Sequence, residues 1–293
     1  MSNKSTNILV RMSGGLGNQL FQLAASLFIS RKVDNAAITL DTRFLADYDT
    51  LRVFELDFLI KYYPFIEVST CPSYKLGVKG LLSKFRVARI IDSRIHNLGL
   101  IGSDLGVKRL ECSNLRSLVL DGYFQNPELL MSQEERTYLL ERLKLDFGYL
   151  KSKINFTNID NKVSVHIRRG DYVSNASAAS EFLTVDLDYY RKAIKKFPKN
   201  TIFFVFGDDT QLVRDFAHEI NGVNVQSLAL TLQEEFVLMA DSVGYIIANS
   251  TLSWWAAFLG FSQGKRVISP SKWFVSEKRN INNDLQLDYF ELI

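Results

Sequence analysis

Between residues 163 and 269, short runs of β-branched and aromatic residues alternate with stretches of helical period, and this alternation limits the possible folds more than any other feature. Residues 163–168, 202–206 (IFFVF), 224–228, 244–248 (GYIIA) and 265–269 read as strands. Residues 187–197, about 211–219, 231–240 and about 251–260 read as helices, the third opened by a Thr231/Glu234 capping box. Strands separated by helices of this length form right-handed βαβ units on a parallel sheet.

The amino-terminal part begins in the same way. Residues 7–12 (NILVRM) read as a strand, Gly14-Gly15-Leu16-Gly17 as a tight turn, and Leu16, Leu20, Leu23, Ala24, Leu27 and Phe28 recur at helical spacing. Residues 37–41 and 117–121 are further strand candidates, the stretch between about 51 and 113 reads as mixed helix and loop, and Ser132 with Glu135 forms a capping box for a helix to about Leu145. The polar segment 155–161 reads as a linker, giving an amino-terminal α/β domain over 1–155 and a carboxyl-terminal Rossmann-like domain over 156–293.

The composition, 47% hydrophobic and 23% charged, suits a globular protein with a large core. A net charge of +3 is too small to argue for a nucleic-acid partner. Lys79, Lys84, Arg86, Arg89 and Arg94 interleave with Leu81, Leu82, Phe85 and Ile90, which reads as an amphipathic surface helix and allows at most peripheral membrane contact. Two cysteines do not make a disulfide framework, the three histidines are far apart, and no Cys/His cluster has metal spacing. No apolar run is long enough to span a bilayer, and the expected location is the cytoplasm.

Three segments gather chemistry. The strand at 163–168 ends in Arg168-Arg169-Gly170-Asp171. Charges of that density do not fit inside a sheet, and guanidinium groups leaving its carboxyl edge suit a phosphate, which they grip in a fixed fork. A surface ion pair between either arginine and Asp171 is the plainer alternative. Asn249-Ser250-Thr251-Leu252-Ser253 offers an N-cap, hydroxyls and the unbonded N–H groups of a helix start, an anion site that could cradle a diphosphate beside Arg168 and His166. The turn Gly15-Leu16-Gly17-Asn18-Gln19 lets backbone approach a ligand closely, but it matches neither a dinucleotide fingerprint nor a phosphate loop, and Asp41 is the nearest acid for a ribose. Asp241, between a helix and a strand, could accept N–H bonds from a guanine edge or be a plain helix-end residue. Trp254, Trp255 and Phe258 could stack on a base, though at helical spacing Trp255 faces a core.

Gly14–Gln22, His166–Tyr172 and Asn249–Trp255, in that order, resemble the motifs of bacterial α-1,2-fucosyltransferases of glycosyltransferase family eleven, and the resemblance spans nearly the whole chain. It implies a GT-B-like fold of two Rossmann-like domains with a cleft between them. It implies inverting, metal-independent transfer of L-fucose from GDP-fucose, with no other cofactor, to the 2-hydroxyl of a β-galactoside on an oligosaccharide or lipid-linked glycan, as in O-antigen-like surface glycan synthesis. On this resemblance Arg168 grips the β-phosphate, Asp241 holds guanine, and Ser250, Thr251 and Ser253 touch phosphate and sugar. Gly15, Gly17, Asn18, Gln19, His166, Arg169 and Asn249 complete the expected substrate contacts. Inversion in one step needs a base; Asp171 is the first candidate, and Glu181, Asp186 and Asp188 follow it. Another fucosyl linkage, or a non-catalytic nucleotide-sugar binding protein, are the alternatives.

Overall fold

The computed structural model describes residues 6–33, 35–45, 52–70, 87–91, 117–126, 129–154, 161–170 and 175–293. The chain divides into two compact units, Met1–Met131 and Ser132–Ile293.

The first unit carries β1 (Thr6–Arg11), α1 (Leu16–Ser30), β2 (Ala36–Asp41), α2 (Asp57–Ile60), β3 (Ile66–Ser69), β4 (Val87–Ile91) and β5 (Ser117–Asp121). Its five strands run parallel in the order β3-β2-β1-β5-β4, with Val10 of β1 opposite Leu40 on one side and Leu120 on the other. α1 is apolar around most of its circumference, and Leu20, Phe21, Leu23, Ala25 and Ile29 are buried. A helix buried on all sides belongs inside the unit rather than on its surface. The chain fills β1, β2 and β3 outward on one side, then returns to place β5 against the other side of β1. The direction of winding therefore reverses between β1 and β5.

The second unit begins with α3 (Gln133–Asp146) and α4 (Leu150–Ile154), then continues β6 (Lys162–Ile167), α5 (Ala176–Glu181), α6 (Leu187–Ile194), β7 (Ile202–Gly207), α7 (Thr210–Glu219), β8 (Val223–Asn224), α8 (Leu232–Ala240), β9 (Gly244–Ile246), α9 (Thr251–Gly260), β10 (Arg266–Ser269), α10 (Glu277–Ile281) and β11 (Phe290–Leu292). Six parallel strands follow the order β11-β10-β9-β6-β7-β8, so winding reverses between β6 and β9. Every residue of β6 is buried. Val163, Val165 and Ile167 pack with Tyr190, Val205, Phe216 and Ile246 in one core, and burying each such side chain is worth about 1.5–3 kcal/mol.

Four expectations change. Residues 132–154 belong to the second unit, so the boundary lies near residue 131 and not near 155. The cause is a set of ties distant in sequence: Arg136 Nη1 donates to the Phe258 carbonyl at 2.6 Å with its guanidinium 4.5 Å from the centre of that ring, and Glu234 accepts from Tyr149 and Lys153, both at 2.9 Å. Residues 224–228 form only the end of β8 followed by a 3-10 turn, in which Asn224 Oδ1 accepts the Gln226 N–H. The strand expected over 244–248 stops at Ile246, two residues early. Of the basic stretch only 87–91 lie within the described residues, and they form β4, so Arg89 sits on an edge strand. Both capping boxes form as read from the sequence. Among the described residues no helix is long and apolar enough to cross a membrane.

Candidate active site

In parallel α/β sheets, ligands bind beyond the carboxyl ends of the strands where winding reverses. In the second unit that point is flanked by Arg168–Gly170, after β6, and Ile247–Ser253, after β9. β7, next to β6, adds Asp208. Arg168 Nη1 donates to Asp208 Oδ2 at 2.8 Å, and Asp208 Oδ1 accepts the N–H groups of Arg169 at 2.9 Å and Gly170 at 3.0 Å. One carboxylate thus fixes both the arginine side chain and the backbone that follows it. A Cβ at Gly170 would lie 2.8 Å from Asp208 Oδ2, so the turn needs glycine for close approach. Burial alone would raise the Asp208 titration, but Arg168, the two N–H donors and His166 hold it below the ordinary carboxylate range. Asp209 is a cap instead, accepting the Leu212 N–H at 3.0 Å to start α7.

His166 shares the strand face of Arg168, two residues on. It is 4% exposed, and its Nδ1 is buried without a hydrogen-bond partner among the described residues. Burial, reinforced by the Arg168 charge and opposed by Asp208, pushes its titration down to about 4, so the imidazole is neutral at pH 7. Gln226 Nε2 donates to the Gly207 carbonyl at 2.6 Å while its Oε1 is buried without a partner among the described residues, a second such polar atom near this sheet edge.

At the start of α9, Ser250 occupies the N-cap but makes no capping bond to its own helix. The first intrahelical bond runs from Trp254 N–H to the Ser250 carbonyl, which leaves the N–H groups of Thr251, Leu252 and Ser253 directed out of the helix end. Such an end attracts anions.

Other expected contacts fall away here. Asn249, 1% exposed, donates from Nδ2 to the Leu183 carbonyl at 2.7 Å and the Trp273 carbonyl at 2.9 Å, so it clamps two loops rather than facing a ligand. Ser253 is buried and donates back to the Ser250 carbonyl at 3.3 Å. Trp254 and Trp255 are core residues, with Trp254 Nε1 donating to the Leu285 carbonyl at 2.7 Å. Asp186 caps α6, Asp188 pairs with Arg191 and Glu181 with Arg279, so these three acids are already engaged. Asp171 lies outside the described residues.

Asp241 does not take the expected place either. It ends α8 and precedes β9, which puts it at the amino edge of the sheet, whereas Arg168 and Ser250 lie at the carboxyl edge. Its carboxylate takes Lys144 at 2.8 Å and Lys162 at 3.7 Å, and the Lys162 ammonium, on a side chain 1% exposed, also reaches the Asp241 carbonyl. It offsets a buried charge and does not face the site. Sequence reading passes over Glu235, in the first turn of α8. That helix starts at the carboxyl edge, because it follows β8 and runs back to β9. The Glu235 carboxyl makes no hydrogen bond or ion pair among the described residues, and burial pushes its titration up to about 7. The Thr231/Glu234 capping box disguises it, since two adjacent glutamates after a threonine read as helix-start chemistry.

The first unit has its own reversal point, between β1 and β5. Gly14 has φ +74°, and a Cβ there would meet the Asn18 side chain at 2.5 Å, so the turn requires glycine. Gly15 is the N-cap of α1. Asn18 Oδ1 accepts from Gln125 Nε2, beyond β5, at 3.2 Å. Gly15 and Asn18 keep partial exposure, but Gly17 is buried in the first turn and Gln19 is fully buried. Gln19 donates to the carbonyls of Gly14 at 2.9 Å and Val53 at 2.8 Å and accepts the Glu55 N–H at 2.9 Å, so its expected substrate contact is replaced by a clamp. Gln22 does likewise with Ser13 and the Gly122 carbonyl. Asp41 is bound by Arg43 at 2.9 and 2.7 Å and is not open to a ribose. Among the described residues no group of three or more His, Cys, Asp or Glu could hold a metal ion.

Two Rossmann-like parallel sheets, each with polar groups at its reversal point, define a GT-B-like α/β protein. The sequence pattern of glycosyl transferase family 11 matches residues 2–286, and the chain belongs to that family. It is 30% identical over 286 residues to an alpha-1,2-colitosyltransferase of Escherichia coli, covering 93% of this chain and 94% of the relative. It is 29% identical over 290 residues to the O-antigen biosynthesis glycosyltransferase WbnK of Escherichia coli, covering 92% and 95%. Among solved structures, a POFUT1 in complex with GDP shares the fold at TM-score 0.51 and 13% identity, over 92% of this chain and 98% of that one. The protein is a glycosyltransferase.

Proposed function

We propose that the protein transfers L-fucose from GDP-fucose to the 2-hydroxyl of a β-galactoside in a surface glycan, with inversion and without a metal. The observation that carries this is the pairing of Arg168, locked by Asp208, with the open N-terminus of α9 at the strand reversal of the second unit. When the bond between sugar C1 and the β-phosphate oxygen breaks, negative charge grows on the diphosphate. A fixed guanidinium and a helix end stabilise that charge most in the transition state. Arginine then does what a divalent cation would otherwise do.

The names of the two Escherichia coli relatives support an O-antigen-type acceptor and an α-1,2 linkage, and GDP in the POFUT1 structure supports a guanine nucleotide as carrier. Guanine recognition passes from Asp241 to Glu235, whose unpaired carboxyl lies at the correct sheet edge and can accept two N–H bonds from the base. His166, neutral and with Nδ1 unpartnered, adds a contact to the nucleotide. A second reading rests on the colitosyltransferase relative: the donor sugar is colitose, which lacks the 3-hydroxyl of fucose.

The test is incubation with GDP-fucose, GDP-colitose and a panel of galactosides, with and without chelator, followed by linkage analysis. An α-1,2-fucosylated product formed equally in chelator is expected. Exclusive use of the colitosyl donor would favour the second reading, and activity abolished by chelator and restored by magnesium would defeat the metal-free part.

A further inference from the structure

The amino edge of the second sheet, opposite Arg168 and Ser250, carries a cavity of about 110 Å³. Its described lining belongs wholly to the second unit: the end of α3, the turn into α4, the first residue of β6 and the end of α8. The apolar part is Phe147, Leu150, Val237 and Leu238, of which the last three are buried. A dry cavity of about 150 Å³ holds benzene, so this one has room for the body of a ligand of about four or five carbons.

The charges around it are unequal. Among the described residues Lys144, Lys151 and Lys162 line the cavity against one acid, Asp241. That acid is shared: its carboxylate takes Lys144 at 2.8 Å and Lys162 at 3.7 Å, and the Lys162 side chain is 1% exposed. Lys265 lies close enough to feel both partners. Burial, joined by the Lys144 charge and opposed by Asp241, pulls its titration down. α3 and α8 also end at the cavity, and each carboxyl-terminal helix end supplies about half a negative charge. Three ammonium groups thus stand against about two negative charges, which leaves the lining with about one positive charge. A charge partly removed from water costs free energy unless an opposite charge answers it.

We propose that this cavity is a second ligand site, for a small monoanion with an apolar body: a carboxylate of about four or five carbons. Its head meets the lysines and its chain lies against Phe147, Leu150, Val237 and Leu238. The two halves of the lining exclude the simpler ligands. A neutral apolar molecule of the same shape leaves the positive charge unanswered, and inorganic phosphate brings charge but nothing to cover the apolar wall. The site is also separate from the nucleotide edge. β6 runs from Lys162 at the cavity toward Arg168, and α8 runs from Glu235 at the far edge to Asp241 at the cavity, so the depth of the sheet lies between them. A ligand here is bound together with a nucleotide and not in its place.

The experiment titrates butyrate, its neutral counterpart butyramide, and inorganic phosphate into the full chain at constant ionic strength, by calorimetry and thermal melting, with and without GDP. Butyrate should saturate at about 1–10 mM and raise the melting temperature. Butyramide and phosphate should each bind at least about tenfold more weakly, the loss expected when one charge-assisted contact or the apolar contact is missing. GDP should leave the butyrate affinity within about twofold. Lys144→Gln should weaken butyrate by about tenfold, and Val237→Phe, which fills the space, should abolish its binding. No saturation by about 50 mM, phosphate binding more tightly than butyrate, displacement of butyrate by GDP, or parental affinity in the variants each overturns the proposal. Should Val237→Phe not fold, Lys144→Gln decides, since the Lys144 side chain is 48% exposed and its loss leaves no cavity in the core.

Discussion

Arg168 and Asp208 meet at 2.8 Å across the ends of two adjacent strands, and the same carboxylate holds the backbone of the next two residues. Arg168 is thereby presented in one orientation. Arg168→Lys keeps the charge and loses the fork. Losing one charge-assisted bond worth about 1.5–3 kcal/mol in the transition state should cut kcat by roughly 10- to 150-fold. Asp208→Asn should cost a similar factor without touching substrate, because an amide cannot keep the arginine pair while accepting both N–H groups. Steady-state kinetics with circular dichroism as a folding control checks both. An Asp208→Asn enzyme with parental kcat would mean that Arg168 is positioned by something else.

Asp241→Ala and Glu235→Gln should separate structure from recognition. Removing the Asp241 carboxylate takes an ion-pair partner from Lys144 and from the buried Lys162 ammonium, which should cost about 1–3 kcal/mol of stability. GDP affinity should stay as it was. Glu235→Gln replaces a charged acceptor with a neutral one, so GDP binding should weaken by about 10- to 100-fold with little change in melting temperature. The reverse pattern, tight GDP binding in Glu235→Gln and loss in Asp241→Ala, would return guanine recognition to Asp241.

How much of this is legible in the sequence depends on what each feature needs. The alternation of strands and helices, both capping boxes and the placement of Arg168 at a strand end follow from local periodicity and local hydrogen-bonding chemistry, which a single sequence displays. The clamps are invisible at that level. Gln19 and Asn249 look like ligand residues, because nothing local says that Val53 or Trp273 will arrive as partners. Asp241 misleads for a related reason. Its position before a strand is plain in the sequence, but the strand's direction puts that position at the edge facing away from Arg168 and Ser250. The domain boundary shifts because the ties from Arg136, Tyr149 and Lys153 into α8 and α9 span 81 to 122 residues of sequence.

His166 predicts a pH dependence of stability. Its folded titration, about 4, lies below the unfolded value of about 6.5. Below about 6.5 the unfolded chain takes up a proton that the native imidazole refuses, so this group's contribution is complete above that pH and is lost as the pH falls toward 4. Every pH unit that separates the folded from the unfolded titration is worth about 1.4 kcal/mol, which gives roughly 2–4 kcal/mol across the window. His166→Gln should therefore lose less stability than the parent between pH 7.5 and 4.5. Parallel melting-temperature profiles for the two proteins would contradict this account of the buried ring.

Ser250 and Thr231 occupy the same formal position at the starts of α9 and α8, yet only Thr231 caps its helix. Thr231 Oγ1 accepts the Glu234 N–H at 3.2 Å, and the Glu234 carboxylate accepts the Thr231 N–H in return at 2.7 Å. Ser250 makes no such bond, so its hydroxyl is not engaged by its own helix. Thr231→Ala should cost about 1 kcal/mol of stability, as a lost cap does, and leave nucleotide affinity alone. Ser250→Ala should behave in the opposite way. Stability should hold within about 0.5 kcal/mol, while GDP affinity falls by roughly 5- to 15-fold, the equivalent of one hydrogen bond to a charged phosphate. Calorimetric binding and thermal melts on the two variants decide the matter. If Ser250→Ala melts earlier and binds GDP as the parent does, Ser250 is an ordinary cap and the phosphate is held by Arg168 and the backbone N–H groups alone.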